Sequence, residues 1–253
     1  MPAKILIETA GPVTTIIINR PEVRNALDIE ATRLLAQAID AFERDEAAKV
    51  AVLWGAGGAF CSGADLKELA AGTVYEPWAG GAGGPLGRPA AKPVIAAVAG
   101  YACAGGLGLA LWCDLRVAEQ SATFAVLSRR WGVPMSDGTT VRLPRLIGMS
   151  RAMDMMLTAR KVDAQAAERM GLVNRVVPDG QSRAAAEELA RQMAGFPQIA
   201  MLSDRQSVYE QQGVSEPQAI AREAQLSVQA REREAGAGAR RFADGAGRHG
   251  VVS

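Results

Sequence analysis

Apolar residues along the chain follow two rhythms, and the change between them falls near residue 181. Two short β-rich runs, KILIET (4–9) and VTTIIIN (13–19), flank Ala10-Gly11-Pro12 and predict a hairpin with a Gly-containing loop. Asn19-Arg20-Pro21 ends the second run, and Asp28 is placed to cap a helix with Leu34, Leu35, Ala38, Ile39 and Phe42 on one face. VAVLWG (50–55) and PVIAAV (93–98) are continuous apolar runs, which mark strands buried on both faces. Each runs into a bend rich in glycine and alanine and then a helix. The first bend is GAGGAFCSGAD, with a short helix from Asp65; the second is Gly100 to Gly106, followed by LGLALWC (107–113).

Further strands are expected at 114–118, 124–126 and 172–177. Helices are expected after Ser150 and after Asp163, the latter stopping at Gly171. From about Gln181 the strand rhythm is gone. QSRAAAEELARQMAGF predicts one helix and residues 216–235 a second, with alternating charges at Arg231-Glu232-Arg233-Glu234. The pattern therefore predicts a mixed α/β body over residues 1–195 and a helical region over 196–253. Residues 72–91, with AGGAGGPLGRPAA, are too rich in Gly and Pro for regular structure and read as a mobile surface loop.

Composition narrows the class. A chain of 253 residues with 49% hydrophobic residues can form a sizeable core. A formal net charge of +1 argues against a dedicated nucleic-acid binder. No apolar run has the length of a membrane span, and MPAKILIETAGP lacks a secretory h-region and is expected to read directly into a strand. Cys61, Cys103 and Cys113 have no metal-ligand spacing, and a reducing cytoplasm is the simplest location. No residue cluster suggests a metal or redox cofactor.

The two strand-bend-helix units carry the chemistry. The first turn of a helix has N–H groups without intrahelical partners, and its dipole favours negative charge. Small residues let a ligand oxygen approach. Two such bends facing each other would form a two-donor oxyanion hole, each donor contributing about 3–4 kcal/mol where charge develops. Taken by themselves, these glycines are better explained as devices for tight turns.

The chain resembles the crotonase (enoyl-CoA hydratase/isomerase) superfamily over nearly its full length. The matching segments are Asn19-Arg20-Pro21 with Asn25-Ala26-Leu27, and Ala59-Phe60-Cys61-Ser62-Gly63-Ala64-Asp65-Leu66-Lys67-Glu68. Further matches are Lys92-Pro93-Val94-Ile95-Ala96-Ala97-Val98 with Gly100-Tyr101, and Gly105-Gly106 leading to Cys113-Asp114-Leu115-Arg116. Arg142 to Gly148 and Gly171 to Val177 complete the set. The resemblance implies a crotonase-like spiral of ββα units with a C-terminal helical region that packs in a homotrimer or a dimer of trimers. It implies that the backbone N–H groups of Ala64 and Gly105 form the oxyanion hole for an acyl-CoA thioester, with coenzyme A carried by the substrate. The substrate would lie along Arg24, Ala26, Cys61, Asp65, Leu66 and Lys67, with Arg24 and Lys67 near the phosphates, where a solvated surface role is the alternative. Gly106 follows the second donor, and Tyr101 and Cys103 are candidates for the acyl pocket, packing being the plainer role.

The chain departs from the family's hydratase pattern at both catalytic glutamates. Gly108 stands at the first position and Ser128 at the second. General acid–base catalysis contributes roughly 10²- to 10⁴-fold per group, so a hydratase lacking both should be slow. Asp137, in Gly132-Val133-Pro134-Met135-Ser136-Asp137-Gly138-Thr139, lies in a loop where isomerase and dehalogenase branches place a working aspartate, one position earlier. It is equally suited to cap a helix. A lone aspartate suits a proton shuttle between α and γ carbons better than water addition. Arg129-Arg130-Trp131 is placed to pair with Asp137 or an acidic acyl group, or to form surface ion pairs; Glu68 falls on the outward side of its helix; His249 lies in a Gly/Arg tail. Three readings stay open: a hydratase/isomerase-type enzyme, a lyase by class, with atypical or weak activity; a non-catalytic acyl-CoA binding or carrier protein; and an interaction subunit.

Overall fold

The computed structural model describes residues 2–72 and 84–246. The chain divides into two compact units, Met1–Met193 and Ala194–Ser253. In the first unit, β1 (Ile5–Ala10) and β2 (Val13–Ile18) form the hairpin, antiparallel with Ile5 opposite Ile18. Helix α1 (Ile29–Arg44) starts at Asp28, whose carboxylate accepts from the Ala31 amide, and buries Ala31, Leu35, Ala38, Ile39 and Phe42. Strand β3 (Val50–Gly55) leads to α2 (Leu66–Ala70); β4 (Val94–Val98) and β5 (Tyr101–Cys103) lead to α3 (Gly105–Trp112). Strands β6 (Leu115–Glu119) and β7 (Thr123–Ala125) lead through a 3₁₀ turn at Leu127–Trp131 to α4 (Thr139–Ile147). Then come α5 (Met149–Thr158), β8 (Val162–Asp163), α6 (Ala164–Met170), β9 (Arg175–Val177) and α7 (Ser182–Ala194).

One sheet has the order β1-β2-β3-β4-β6-β9 and is parallel from β2 onward; the other has the order β5-β7-β8. The repeat is a strand in the large sheet, a short strand in the small one, then a helix: β4-β5-α3, then β6-β7-α4. The β3-to-α2 stretch follows the same path, because Cys61 bridges in parallel to Ala102. Val50, Ala51, Val52, Leu53 and all five residues of β4 are buried, as continuous apolar runs require.

Glycine lets the bends pack backbone to backbone. A Cβ on Gly106 would lie 1.9 Å from the Cys61 carbonyl oxygen. Gly106→Ala is expected to cost about 3 kcal/mol of stability, read as a lower urea midpoint at unchanged slope.

Several sequence expectations need correction. Ser150 does not cap α5; Gly148 is its N-cap, so Ser150 lies inside the first turn. The strand expected at 172–177 is limited to Arg175–Val177, because Leu172 and Val173 turn into the core. Part of the supposed mobile loop, 73–83, lies outside the described residues, as does His249. The remainder is anchored: Leu86 is fully buried, its carbonyl accepts from Arg142 Nη2 at 2.6 Å, and Arg88 pairs with Glu43 at 2.6 Å.

The second unit contains α8 (Gln198–Glu210), which the sequence pattern did not separate, and α9 (Glu216–Ala230). A π-helical turn, Arg231–Ala235, continues into α10 (Gly236–Ala243). The Glu234 carboxylate accepts from the amides of Ile199 and Ala200, at 3.1 and 2.8 Å, and so caps α8 with a negative charge. Among the described residues no helix is long and apolar enough to cross a membrane, and no cluster of His, Cys, Asp or Glu is arranged to hold a metal.

Candidate active site

A cleft of about 540 Å³ opens where the two glycine bends meet the segment before α4. Its walls come from four stretches: Glu22 to Ala26, Ser62 to Lys67, Ala104 with Gly105, and Leu127 to Asp137. Of the sequence candidates, Arg24, Ala26, Ala64, Asp65, Leu66, Lys67, Gly105, Ser128 and Asp137 line it.

The bend carrying Ala64 is held on both sides. Leu27 donates to Gly63 O at 2.8 Å and accepts from Asp65 at 2.9 Å, a parallel bridge that leaves the Ala64 N–H out of the ladder. The Gly105 N–H begins α3, where no earlier carbonyl is in register to take it. Neither amide donates to a backbone acceptor among the described residues. The bends are in close contact. Gly63 has φ 106°, and a Cβ there would sit 3.0 Å from the Gly105 nitrogen. Ala104, between β5 and α3, adopts φ 50° and ψ −124°, a conformation unusual for a residue with a side chain.

Side chains fix the first bend from behind. Arg20 pairs with Asp28 and with Asp65, both at 3.0 Å, and also donates to the Ala26 carbonyl. Asp65 caps α2 by accepting from the Lys67 amide, so its carboxylate is committed to structure although its residue borders the cleft. Glu68, expected to point outward, accepts from the Ile29 amide at 2.8 Å and ties α2 to the start of α1. Asn25, fully buried at φ 56°, donates to the carbonyls of Ala56 and Ala59 and accepts from the Arg20 amide.

Five candidates, Cys61, Tyr101, Cys103, Gly106 and Gly108, are not among the residues that line the cleft. Tyr101 is faced by the Arg24 guanidinium at 5.5 Å and the Lys161 ammonium at 5.9 Å. Gly106 packs on the Cys61 carbonyl, and Gly108 is buried beneath Asp137. Cys61 is buried too, and burial pushes its thiol up to about 12; burial likewise pushes Cys103 up to about 11. Neither is a ready nucleophile at neutral pH.

Among the described residues Asp137 is the one buried carboxylate in the wall, 2% exposed. Its Oδ1 accepts from the Thr139 amide at 3.0 Å, and its carbonyl accepts from Arg142 Nη1 at 3.0 Å. The N-cap of α4 is Gly138, so Asp137 supplies its capping bond from one residue further out. The carboxyl fills the space over Gly108: a Cβ on Gly108 would lie 2.3 Å from Asp137 Cγ. Arg129 is directed instead to the Met156 carbonyl, at 3.4 Å. Ser128, 7% exposed, donates to the Met135 thioether at 3.1 Å, a weak acceptor. Leu127, Trp131, Val133, Pro134 and Met135 supply the apolar wall, which no periodicity in the sequence marks.

Burial raises the Asp137 pKa above the ordinary 3.8, with Thr139 opposing. The native state therefore holds this proton more tightly than the unfolded chain. Its stabilising effect is complete below 3.8 and is lost as pH rises through the elevated native value. Asp137→Asn is accordingly expected to gain stability over wild type at neutral pH, the gain shrinking as pH falls through that window. Thermal melts across the window check this.

Comparison with known proteins agrees with this architecture. The family model for enoyl-CoA hydratase/isomerase matches residues 8–245. Enoyl-CoA hydratase EchA19 of Mycobacterium tuberculosis is 36% identical over 230 residues, covering 88% of this chain and 86% of its own. The short-chain-enoyl-CoA hydratase of Clostridium acetobutylicum is 34% identical over 212 residues, covering 81% and 80%. The crystal structure of enoyl-CoA hydratase EchA1 from Mycobacterium marinum superposes with a TM-score of 0.89 at 34% identity, over 95% of this chain and 96% of that one. Matched by the family model over residues 8–245 and superposing on a solved relative over 95% of its length, the chain belongs to the enoyl-CoA hydratase/isomerase family.

Proposed function

We propose that the protein is an enzyme acting on an acyl-CoA thioester. The amides of Ala64 and Gly105 grip the thioester oxygen, and Asp137 moves a proton at the acyl carbons. The observation that carries this reading is one buried carboxyl, with its proton affinity raised by burial, in the same cleft as two amides that donate to no backbone acceptor among the described residues. Ionised Asp137 takes the proton from Cα, and the electron pair moves onto the carbonyl oxygen held by the two amides. The same group then returns the proton, to Cα or, when a β,γ double bond is present, to Cγ. The latter outcome shifts the double bond into conjugation with no net gain or loss of atoms. Water addition needs a second group to hold and activate the water, and Ser128 is no substitute for a base. Arg24 and Lys67 at the cleft wall supply positive charge for the phosphates of coenzyme A.

The test is incubation of the protein with a saturated acyl-CoA in D₂O, read by NMR, with binding followed by calorimetry. Deuterium at Cα supports the reading. Binding without exchange would instead make the protein a carrier, the role that Gly108 and Ser128 favour. Absence of binding overturns both. We further assign self-association to the second unit, which exposes Ile220, Val228 and Phe242; light scattering giving a trimer or hexamer mass supports this, and a monomer mass overturns it.

A further inference from the structure

We propose that Gly108 and Asp137 form one functional pair: the bare α-carbon of Gly108 is the seat of the Asp137 carboxyl, and only one carboxyl-bearing side chain fits there. The inference rests on the reading of Asp137 as the proton-carrying group. It adds Gly108 as the positioning residue that puts that group in place.

A Cβ added to Gly108 would meet Asp137 Cγ at 2.3 Å, Oδ2 at 2.5 Å and Oδ1 at 2.6 Å, so a methyl there would overlap all three heavy atoms of the carboxyl group. The three atoms nearest to that Cβ all belong to the Asp137 carboxyl. Gly108 lies inside α3, its φ is not positive, and every residue from Gly106 to Trp112 is buried. Glycine is the poorest helix former after proline, so its presence in a buried helix interior needs a reason. The carboxyl is that reason.

Asp137 has little freedom to move aside. Its Oδ1 is bonded to the Thr139 amide and its carbonyl to Arg142, which also crowds Gly138: a Cβ there would lie 2.2 Å from Arg142 Nη1. A side chain on residue 108 therefore displaces the carboxyl instead of adding to it. The consequence is chemical. An acidic group can enter this part of the cleft from α3 or from the segment before α4, not from both, and the cleft works with a single proton carrier on this side.

The experiment measures Cα-proton exchange of a bound acyl-CoA in D₂O, together with thermal melts, for wild type, Gly108→Ala, Asp137→Ala, the double alanine variant, and Gly108→Glu combined with Asp137→Gly. Gly108→Ala is expected to lose exchange as fully as Asp137→Ala, roughly 100-fold, with its carboxyl still present. In the Asp137→Ala background the same change should cost no further exchange and should raise the melting temperature, since alanine favours the helix and the clash is gone. Gly108→Glu with Asp137→Gly should regain exchange to about 10-fold above Asp137→Ala, with a carboxyl now reaching in from α3. The pairing is overturned if Gly108→Ala keeps wild-type exchange, or if its effect on melting is the same in both backgrounds. Should Asp137→Ala alone leave exchange untouched, the role of Asp137 fails; the steric pairing then stands or falls on the melts.

Discussion

Asp137→Asn should slow Cα-proton exchange by roughly 10²- to 10⁴-fold, the contribution of one well-placed acid–base group. Affinity for the acyl-CoA should change little, because the thioester oxygen is held by main-chain donors that the substitution leaves alone. Asparagine is chosen because its side-chain oxygen still accepts from the Thr139 amide, so the start of α4 is preserved. This separates the two roles that Asp137 could have. A capping residue would lose nothing as asparagine, whereas a base would lose its function. The pH profile adds a second criterion. Exchange requires the ionised form, and burial places its pKa above the ordinary 3.8, so the wild-type rate should fall on acidification at a pH higher than that of an exposed aspartate. Kinetics that give an unchanged rate for the variant, or no acid limb in wild type, remove Asp137 from the mechanism.

Ala64→Pro addresses the other half of the site and is expected to reduce exchange by roughly 10²- to 10³-fold, the loss associated with one oxyanion donor. Proline deletes an N–H and inserts no charge. At most positions that would break a protein hydrogen bond, but here the ladder with Leu27 runs through Gly63 O and Asp65 N and bypasses the Ala64 amide. The variant should therefore fold, and the far-UV spectrum and melting curve check that it does. If a folded variant exchanges at the wild-type rate, the Ala64 amide is not a donor to the transition state. Gly105 is not open to the same experiment, since it opens α3 directly after the strained Ala104.

The parts of the molecule that could be read from the sequence are those whose burial leaves a mark on composition. β3 and β4 are apolar on both faces because both faces are covered, and the glycine bends stand out because backbone packs on backbone there. Asp28 and Asp163 were legible as caps, since the capping bond reaches only three residues along the chain. What escaped was decided by tertiary contact. β5 is three residues long and is held as a strand by β7 on one side and the Cys61 bridge to Ala102 on the other. Ser150 satisfies the local rule for a cap, yet Gly148 ends α4 and starts α5, pre-empting it. The apolar cleft wall between Leu127 and Met135 lies on a 3₁₀ turn and an irregular segment, where no period exists to be found. Most telling is the relation of Gly108 to Asp137. The sequence gives an absent glutamate and an extra aspartate 29 positions apart; only the packing of α3 against the start of α4 makes them neighbours.

The network behind Ala64 bears on how the site responds to change elsewhere. Lys4, Asp28, Arg20 and Asp65 form a continuous chain of ion pairs from the hairpin to the start of α2, and Glu68 returns from α2 to the amide of Ile29. The loop that presents one donor is thereby fastened to the hairpin and to the leading turn of α1 at the same time. It has no independent hinge. Aim and rigidity of that amide are inherited from the N-terminal edge of the protein, so a substitution at Lys4 or Arg20, remote from any substrate atom, would be felt as a misdirected hydrogen bond at the carbonyl.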